Sequence, residues 1–165
     1  MAKPRIGFLG MGAMGGPMAR RLVQTGFSVT GYDVSEARAA AAAKDGVTIS
    51  TSPAAVAAAA DVVLSSLPNP PAVREAYLGA DGAVSALRAG SILVDMSTID
   101  PNTWRDVADA AAARCAESLG APVSGGPADA GSGRLVFLVG GDAAVIERCR
   151  PVLEALGTEI HHLGP

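Results

Sequence analysis

The chain has 165 residues, of which 49% are hydrophobic and 18% are charged. This length and composition predict one globular domain with a buried core and exclude a disordered chain. Aromatic residues make up only 4%, so alanine, valine and leucine are expected to fill that core. The formal net charge of −3 excludes a general basic surface for nucleic acid.

The cysteines and the N-terminal segment bear on where the protein works. Cys115 and Cys149 form no CxxC pair, and no histidine stands at metal-ligand spacing, which favours a reduced, cytoplasmic protein without disulfides or a metal site.

Lys3 and Arg5 precede an uncharged stretch over residues 6–19, as in a signal peptide. Its five glycines and its proline disfavour the apolar helix of a signal. No other uncharged run is long enough for a membrane span, so a soluble protein is predicted.

The predicted elements begin with a strand, a helix and a second strand. Residues 5–9 are an apolar run that ends in glycine, typical of a strand. Apolar residues then recur at helical spacing over residues 13–25, and Gly26 ends this helix. Residues 28–32 are rich in strand-forming types and are followed by Asp33. The whole segment has the size of one βαβ unit.

Strands and helices continue to alternate along the rest of the chain. Helices are predicted at residues 36–44, 53–60, 71–77, 82–87, 101–115 and 142–156, and strands at 47–49, 61–67, 91–95, 117–121, 135–139 and 159–163. This alternation, with several strands apolar throughout, predicts an α/β fold of the Rossmann type: a doubly wound, mostly parallel sheet with helices on both faces. No linker interrupts it, so residues 1–165 are expected to form a single domain.

A glycine motif lies between the first predicted strand and the first predicted helix. The segment Gly10-Met11-Gly12-Ala13-Met14-Gly15 fits G-x-G-x-x-G, and Asp33 ends the next strand 18 residues after Gly15. In a dinucleotide-binding loop the first glycine permits the tight turn, the second lets the backbone approach the pyrophosphate, and the third allows close helix packing. The alternative is an ordinary glycine turn. The carboxylate of Asp33 at the end of the next strand favours nucleotide binding over that alternative.

Asp33 also bears on the choice between NAD and NADP. A carboxylate at this position accepts a hydrogen bond from a ribose 2′-hydroxyl and repels a 2′-phosphate. Val34 and Ser35 follow it, and Arg38 is the nearest guanidinium in the sequence. NAD is therefore the expected cofactor, with NADP left open.

The same segment carries a family likeness. Residues 10–19 resemble the opening signature of the β-hydroxyacid dehydrogenases, a group that includes 3-hydroxyisobutyrate dehydrogenase and, more distantly, 6-phosphogluconate dehydrogenase. Four further segments match that family in order: Leu-Pro-Asn-Pro at residues 67–70, Asp-Met-Ser-Thr-Ile-Asp-Pro at 95–101, Ala-Pro-Val-Ser-Gly-Gly-Pro at 121–127 and Val-Gly-Gly at 139–141.

The resemblance implies roles for particular residues. The cofactor site would comprise Gly10, Met11, Gly12, Ala13, Met14, Gly15, Asp33, Leu67, Pro68 and Thr98. The substrate carboxylate would be bound by the Ser124 hydroxyl and by backbone N–H groups of Gly125 and Gly126, an arrangement suited to anions. A plain Gly-Gly-Pro turn is the alternative for this second segment.

The resemblance also implies a reaction, a hydride transfer between NAD(P) and a small 3-hydroxy (or 2-hydroxy) acid of the 3-hydroxyisobutyrate or semialdehyde type. In the family a catalytic lysine stands in a second, all-helical domain, through which the proteins assemble as homo-oligomers. It follows a Gly-Pro or Gly-Ala like Gly164-Pro165. The only lysines here, Lys3 and Lys44, do not match it. This chain is therefore expected to lack that domain and to bind cofactor with little turnover.

Two other readings of the likeness stay open. An imine reductase resembles this family but replaces the lysine, although the Val-Ser-Gly-Gly segment favours a carboxylate substrate. A non-enzymatic assembly module could keep the fold.

The family often has aspartate just before the Ala-Pro-Val-Ser-Gly-Gly segment, where this chain has Gly120, which puts local geometry or substrate preference in doubt.

The remaining chemical side chains carry no predicted role in catalysis. His161 and His162 are adjacent on a predicted strand, so they face opposite sides and do not share a metal. Cys115 and Cys149 lie on predicted helices and are expected to be buried, inert thiols. Ser97 and Ser124 have no histidine at a suggestive spacing, so a hydrolase triad has no support. Trp104 is expected to pack a helix.

Overall fold

The computed structural model describes residues 3–165, which form one nine-stranded sheet flanked by seven α-helices and a short 3₁₀ helix at Ala83–Ala86. The strands are β1 (Ile6–Leu9), β2 (Val29–Tyr32), β3 (Thr48–Ile49), β4 (Val62–Ser65), β5 (Ile92–Asp95), β6 (Glu117–Gly120), β7 (Val123–Ser124), β8 (Leu135–Gly140) and β9 (Gly157–Gly164). The helices are α1 (Gly15–Gln24), α2 (Glu36–Lys44), α3 (Pro53–Ala59), α4 (Pro70–Leu78), α5 (Pro101–Ala112), α6 (Pro127–Ser132) and α7 (Ala143–Leu156).

The first six strands confirm the predicted Rossmann-type sheet. They are parallel and lie in the order β3-β2-β1-β4-β5-β6. The chain builds outward from β1 in one direction and then returns to β4 to build in the other. The carboxyl ends of β1 and β4 therefore diverge, and a crevice opens between the loops that follow them.

The last part of the sheet is mixed. Strand β8 runs antiparallel to β6 and to β7, and β9 is parallel to β8. The glycine-rich loop predicted between residues 121 and 135 contains β7 and α6, which the sequence does not reveal. A strand of two residues and a helix of six are too short to display a hydrophobic period.

Successive side chains of the central strands point to opposite faces of the sheet, so the core has one part on each face. Ile6 and Phe8 of β1 pack on one face with α1 and α7, whereas Leu9 packs on the other with α3, α4 and α5. All four residues of β1, β4 and β5 are buried, because helices cover both faces of a parallel sheet. No helix within residues 3–165 is both long and apolar enough to cross a membrane.

Helix α5 is shorter than predicted and ends at Ala112. The amide of Ala116 donates to the Ala111 carbonyl and that of Cys115 to the Ala112 carbonyl, a Schellman motif. Cys115 itself has φ of +56° and is exposed. The prediction of a helical, buried Cys115 is therefore wrong, because the motif needs a left-handed residue that helical periodicity does not reveal. Cys149 is buried in α7, and burial raises the pKa of its thiol to about 12.

Replacing Cys115 by glycine is expected to stabilise the fold. The same motif closes α1 and α2, where Gly26 and Gly46 hold the left-handed position with φ of +86° and +92°. A side chain in this conformation costs about 1 kcal/mol that glycine avoids. Urea unfolding of Cys115→Gly should show a gain of about 0.5–1 kcal/mol, and Gly46→Cys, the reverse exchange, a loss. Equal or lower stability of Cys115→Gly would contradict this.

An ion-pair cluster ties the amino ends of β1 and β4 together. Asp61 accepts hydrogen bonds from the Arg5 amide at 2.9 Å, the Arg5 guanidinium at 2.8 and 3.1 Å, and the Arg88 guanidinium at 3.0 Å. Hydrogen bonding to Arg5 lowers the pKa of Asp61 well below its ordinary value. The side chains are 43–50% exposed, so solvent screening limits the contribution to about 1 kcal/mol.

The pH dependence of the Asp61 cluster follows from the direction of this shift. Because the folded pKa lies below the unfolded one, the stabilisation is complete above about pH 4 and is lost as pH falls further. In urea unfolding, Asp61→Asn should cost about 1 kcal/mol at pH 7 and progressively less from pH 4 towards pH 2. Asp109→Asn, on the exposed face of α5, is the control. A cost that did not diminish in acid would contradict the assignment.

Candidate functional site

A cavity of about 630 Å³ opens at the carboxyl ends of β1, β2 and β4. Residues of the loops that follow these three strands line it, together with the first residues of α1 and α3 and one side of α4. Of the ten residues predicted to bind cofactor, eight line this cavity: Gly10, Gly12, Ala13, Met14, Gly15, Asp33, Leu67 and Pro68.

The three motif glycines differ in what the protein itself requires of them. Gly10 has φ of +85°, and a Cβ there would lie 2.4 Å from the Ser66 carbonyl oxygen. A Cβ on Gly15 would lie 1.9 Å from the Gly10 carbonyl oxygen. A Cβ on Gly12 would meet nothing within 4 Å in the described chain and would project into open space beside the cavity. The fold therefore needs Gly10 and Gly15, whereas Gly12 leaves a cradle that a side chain would fill.

Helix α1 begins at the cavity without a side-chain cap. Five other helices each start at a capping side chain that accepts a backbone amide: Ser35, Ser52, Asn69, Asp100 and Asp142. At α1 the capping position is Met14, which provides no such bond, and no acidic residue stands in the first turn. Amide groups and the positive end of the helix dipole are thus directed at the cavity, which is the arrangement that binds phosphate groups.

Asp33 joins two loops at the rim of the cavity. One carboxylate oxygen accepts the Met11 amide at 2.7 Å, and the other accepts the Ser35 amide at 2.8 Å. The side chain is only 4% exposed, and the Arg38 guanidinium lies 3.9 Å from it. The carboxylate therefore holds the glycine loop against the turn after β2 in addition to facing the cavity. Met11, which was predicted to bind the cofactor, does not line this cavity, because its side chain packs in the core.

A second cavity of about 300 Å³ adjoins the first and shares Met14, Ser66, Leu67 and Pro68 with it. Thr98, predicted at the cofactor site, lines this smaller cavity, as does Gly125 of the predicted substrate segment. Thr98 and Gly125, which are distant in sequence, therefore meet where the two cavities join. Ser66, Met96 and Ser97 line it too and were not among the predicted site residues. Met96 and Ser97 belong to the family segment at residues 95–101, whereas only its place after β4 marks Ser66.

The segment predicted to bind the substrate carboxylate is held by α6. Asp129 accepts the Gly126 amide at 3.0 Å, and this bond together with Arg134 lowers the pKa of Asp129. The Gly126 amide is therefore already donated within the protein. Ser124 and Gly125 are exposed, and Gly125 has φ of +130°. Ser124 and Gly126 line neither cavity.

The larger cavity also has lining residues that were not predicted to bind the cofactor. Val34, Arg38, Thr51, Ser52, Pro53, Ala72, Glu75, Ala76 and Asp81 line the end of the larger cavity beyond Asp33. They come from three loops and three helices, so only the three-dimensional arrangement brings them together. Val34 is 85% exposed, an apolar side chain at the mouth of the cavity.

The lysine and histidine side chains lie outside both cavities. Lys3 contacts the Phe27 ring at 4.7 Å and Lys44 ends α2, so neither lysine lines either cavity. His161 pairs with Glu159, and His162 donates to the Gly141 carbonyl. Within residues 3–165 no group of three or more histidine, cysteine or acidic side chains is placed to hold a metal ion.

Trp104 occupies the space beside the position where the sequence departs from the family pattern. Its ring meets that of Tyr77 edge-on, with 6.0 Å between ring centroids, which agrees with the predicted role in helix packing. A Cβ on Gly120 would lie 3.2 Å from the indole ring. The indole therefore restricts any side chain at residue 120.

The crevice, the glycine loop and the open helix terminus together define a Rossmann-type dinucleotide-binding protein. A family model described as the NAD binding domain of 6-phosphogluconate dehydrogenase matches residues 5–164. The chain belongs to this family, and the resemblance to the β-hydroxyacid dehydrogenases is confirmed.

Individual relatives agree with this membership. The chain is 43% identical to 3-hydroxyisobutyrate dehydrogenase of Pseudomonas aeruginosa over 159 residues, 96% of this chain and 53% of the relative. It is 41% identical to 2-(hydroxymethyl)glutarate dehydrogenase of Eubacterium barkeri over 160 residues, 97% of this chain and 53% of the relative. The solved Mycobacterium tuberculosis 3-hydroxyisobutyrate dehydrogenase with L-serine superposes with a TM-score of 0.93 at 39% identity, covering 99% of this chain and 55% of that one. The chain spans about half the length of the relatives that it matches.

Proposed function

We propose that this chain binds NAD across the two joined cavities and forms the nucleotide-binding part of a dehydrogenase for a small 3-hydroxy acid. Gly12 carries the proposal. It is the motif glycine that the protein does not need for its own packing, and close approach of a ligand to the backbone accounts for it.

The residues present suit the parts of NAD. The pyrophosphate would lie against the amides of the glycine loop and the start of α1, and Asp33 would face the adenosine ribose. The nicotinamide half would lie where the cavities join, near Leu67, Pro68 and Thr98. Bound NAD would supply the hydride acceptor. The chain would orient the nicotinamide ring and exclude water from one face of that ring.

The substrate would be held by its carboxylate beside that junction. The Ser124 hydroxyl and the Gly125 amide are the donors that we assign to it, because the Gly126 amide is donated to Asp129 and serves to fix the loop. The names of the relatives, which concern small hydroxy acids, support this substrate class.

We further propose that the 165-residue chain turns over little substrate. Proton transfer to or from the substrate hydroxyl needs a placed acid or base, and the family supplies it from a lysine, whereas Lys3 and Lys44 lie away from both cavities. Incubation with NAD and 3-hydroxyisobutyrate or L-serine should produce no NADH above the rate without substrate. Robust substrate-dependent NADH production would overturn this part of the proposal.

The cofactor proposal is tested by titrating the chain with NADH and with NADPH, followed by nicotinamide fluorescence and by calorimetry. We expect both methods to give tighter binding of NADH. Tighter binding of NADPH would overturn the role assigned to Asp33 in selectivity. Absence of binding by either cofactor would overturn the proposal and favour an assembly role for the fold.

A further inference from the structure

A buried hydrogen-bond network lies beneath the junction of the two cavities. Tyr77 of α4 donates to the Ser65 hydroxyl at 2.7 Å, and Ser65 lies 2.6 Å from Asp95 Oδ1. Ser97 reaches the same oxygen through its hydroxyl at 2.6 Å and through its amide at 3.2 Å. The Leu67 amide donates to the Ser97 hydroxyl at 2.9 Å. These four side chains belong to residues that are no more than 5% exposed.

The chemistry of the groups fixes the direction of the bonds. An ionised carboxylate only accepts, and a serine hydroxyl has one hydrogen to give. Ser65 and Ser97 therefore both donate to Asp95, which leaves their lone pairs to accept the Tyr77 hydroxyl and the Leu67 amide. The network thus converges on a single carboxylate oxygen from two sides.

Within the described part of the chain no cation balances Asp95. Among residues 3–165 no lysine or arginine lies within 4 Å of its carboxylate, and burial raises its pKa. Its hydrogen bonds must then offset the cost of burying the charge. A carboxylate held in this way makes strong, directed bonds, which suits the fixing of loops.

The loops held by Asp95 are those that meet at the junction. Leu67 follows β4 and lines both cavities, and Ser97 follows β5 and lines the smaller one next to Thr98. Asp95 and Tyr77 line neither cavity, so any effect of these two on a ligand must pass through their neighbours.

We propose that Asp95 is a positioning residue that fixes the Leu67 amide and the loop of Ser97 and Thr98 for the nicotinamide half of the dinucleotide. This inference rests on the proposed function, because it takes NAD as the ligand. It assigns the glycine loop and Asp33 to the adenosine diphosphate half, which the network does not touch.

The test compares NADH with ADP-ribose, which lacks the nicotinamide, in three variants of the chain. Asp95→Asn keeps the shape but replaces charge-assisted bonds by weaker neutral ones, and Ser97→Ala disconnects Leu67. Tyr77→Phe is the matched control, because it removes an equally buried hydroxyl from the side of the network away from Leu67. We expect Asp95→Asn and Ser97→Ala to weaken NADH binding about tenfold with ADP-ribose changed less than about twofold. Tyr77→Phe should leave the ratio of the two affinities unchanged.

The outcomes separate this inference from the proposed function. If the unmodified chain bound neither ligand, the proposed function would fail and the inference with it. If it bound both and Asp95→Asn retained its NADH affinity, or lost both ligands equally, the positioning role alone would be overturned. Should Asp95→Asn fail to fold, Ser97→Ala decides by the same criterion against Tyr77→Phe.

Discussion

Gly12→Ala should abolish most of the affinity for NADH while leaving the stability of the chain unchanged. A methyl group at residue 12 meets no protein atom within 4 Å but takes the space assigned to the pyrophosphate. Forcing a methyl into an occupied contact costs about 1–3 kcal/mol, which corresponds to a loss of about fivefold to about 150-fold in affinity. Fluorescence titration measures the affinity, and urea unfolding measures the stability.

Gly15→Ala is the matched variant, with the opposite expectation. Its methyl group would lie 1.9 Å from the Gly10 carbonyl oxygen, so α1 must move away from the turn after β1. We expect a loss of about 3 kcal/mol or more in the free energy of unfolding. Equal effects of the two substitutions on stability would show that the fold itself needs Gly12. Undiminished NADH affinity in Gly12→Ala would show that Gly12 has no contact with the ligand.

Asp33→Ala should weaken NADH binding and shift the preference towards NADPH. The substitution removes the acceptor of the Met11 and Ser35 amides and leaves Arg38 without its neighbouring carboxylate. Hydrogen bonds to a charged group contribute about 1.5–3 kcal/mol, so the affinity for NADH should fall by about tenfold to about 150-fold. NADPH should lose less, because the repulsion of its 2′-phosphate disappears at the same time.

The contribution of Arg38 to that shift is separable. In Asp33→Ala combined with Arg38→Ala, the relative gain of NADPH should be smaller than in Asp33→Ala alone, because the repulsion by Asp33 is still absent but no guanidinium then faces the 2′-phosphate. Asp33→Asn, which retains one acceptor oxygen, should lie between Asp33→Ala and the unmodified chain in NADH affinity. An unchanged ratio of NADH to NADPH affinity in Asp33→Ala would contradict the assignment of selectivity to this residue.

Local patterns account for most of the fold that could be predicted. The helix at residues 36–44 has the predicted bounds, and most other elements differ by a few residues at their ends. The prediction failed where the chain depends on distant contacts or on short elements. Cys115 is left-handed because the Schellman motif places Ala116 against Ala111 in the core, and no local period encodes that.

The features of the candidate site likewise fall into those that the sequence predicted and those that it did not. Glycine spacing and an acidic residue after the second strand predicted a tight turn at the cavity, because Gly10 and Gly15 are required by the turn itself. The sequence did not reveal that Met11 packs in the core, that the Gly126 amide is taken by Asp129, or that Asp95 collects the hydroxyls of Ser65 and Ser97. Each of these depends on which atoms meet across separate elements.

By itself, the amino-acid sequence determined the alternation of strands and helices, the glycine loop and the order of its motifs, since these follow from backbone preferences and hydrophobic periods within a few residues. Only the tertiary structure decided the antiparallel course of β8, the junction of the two cavities and the network around Asp95. The physical reason is that strand pairing and buried hydrogen bonds depend on groups far apart in the chain. Packing alone brings such groups within reach of one another.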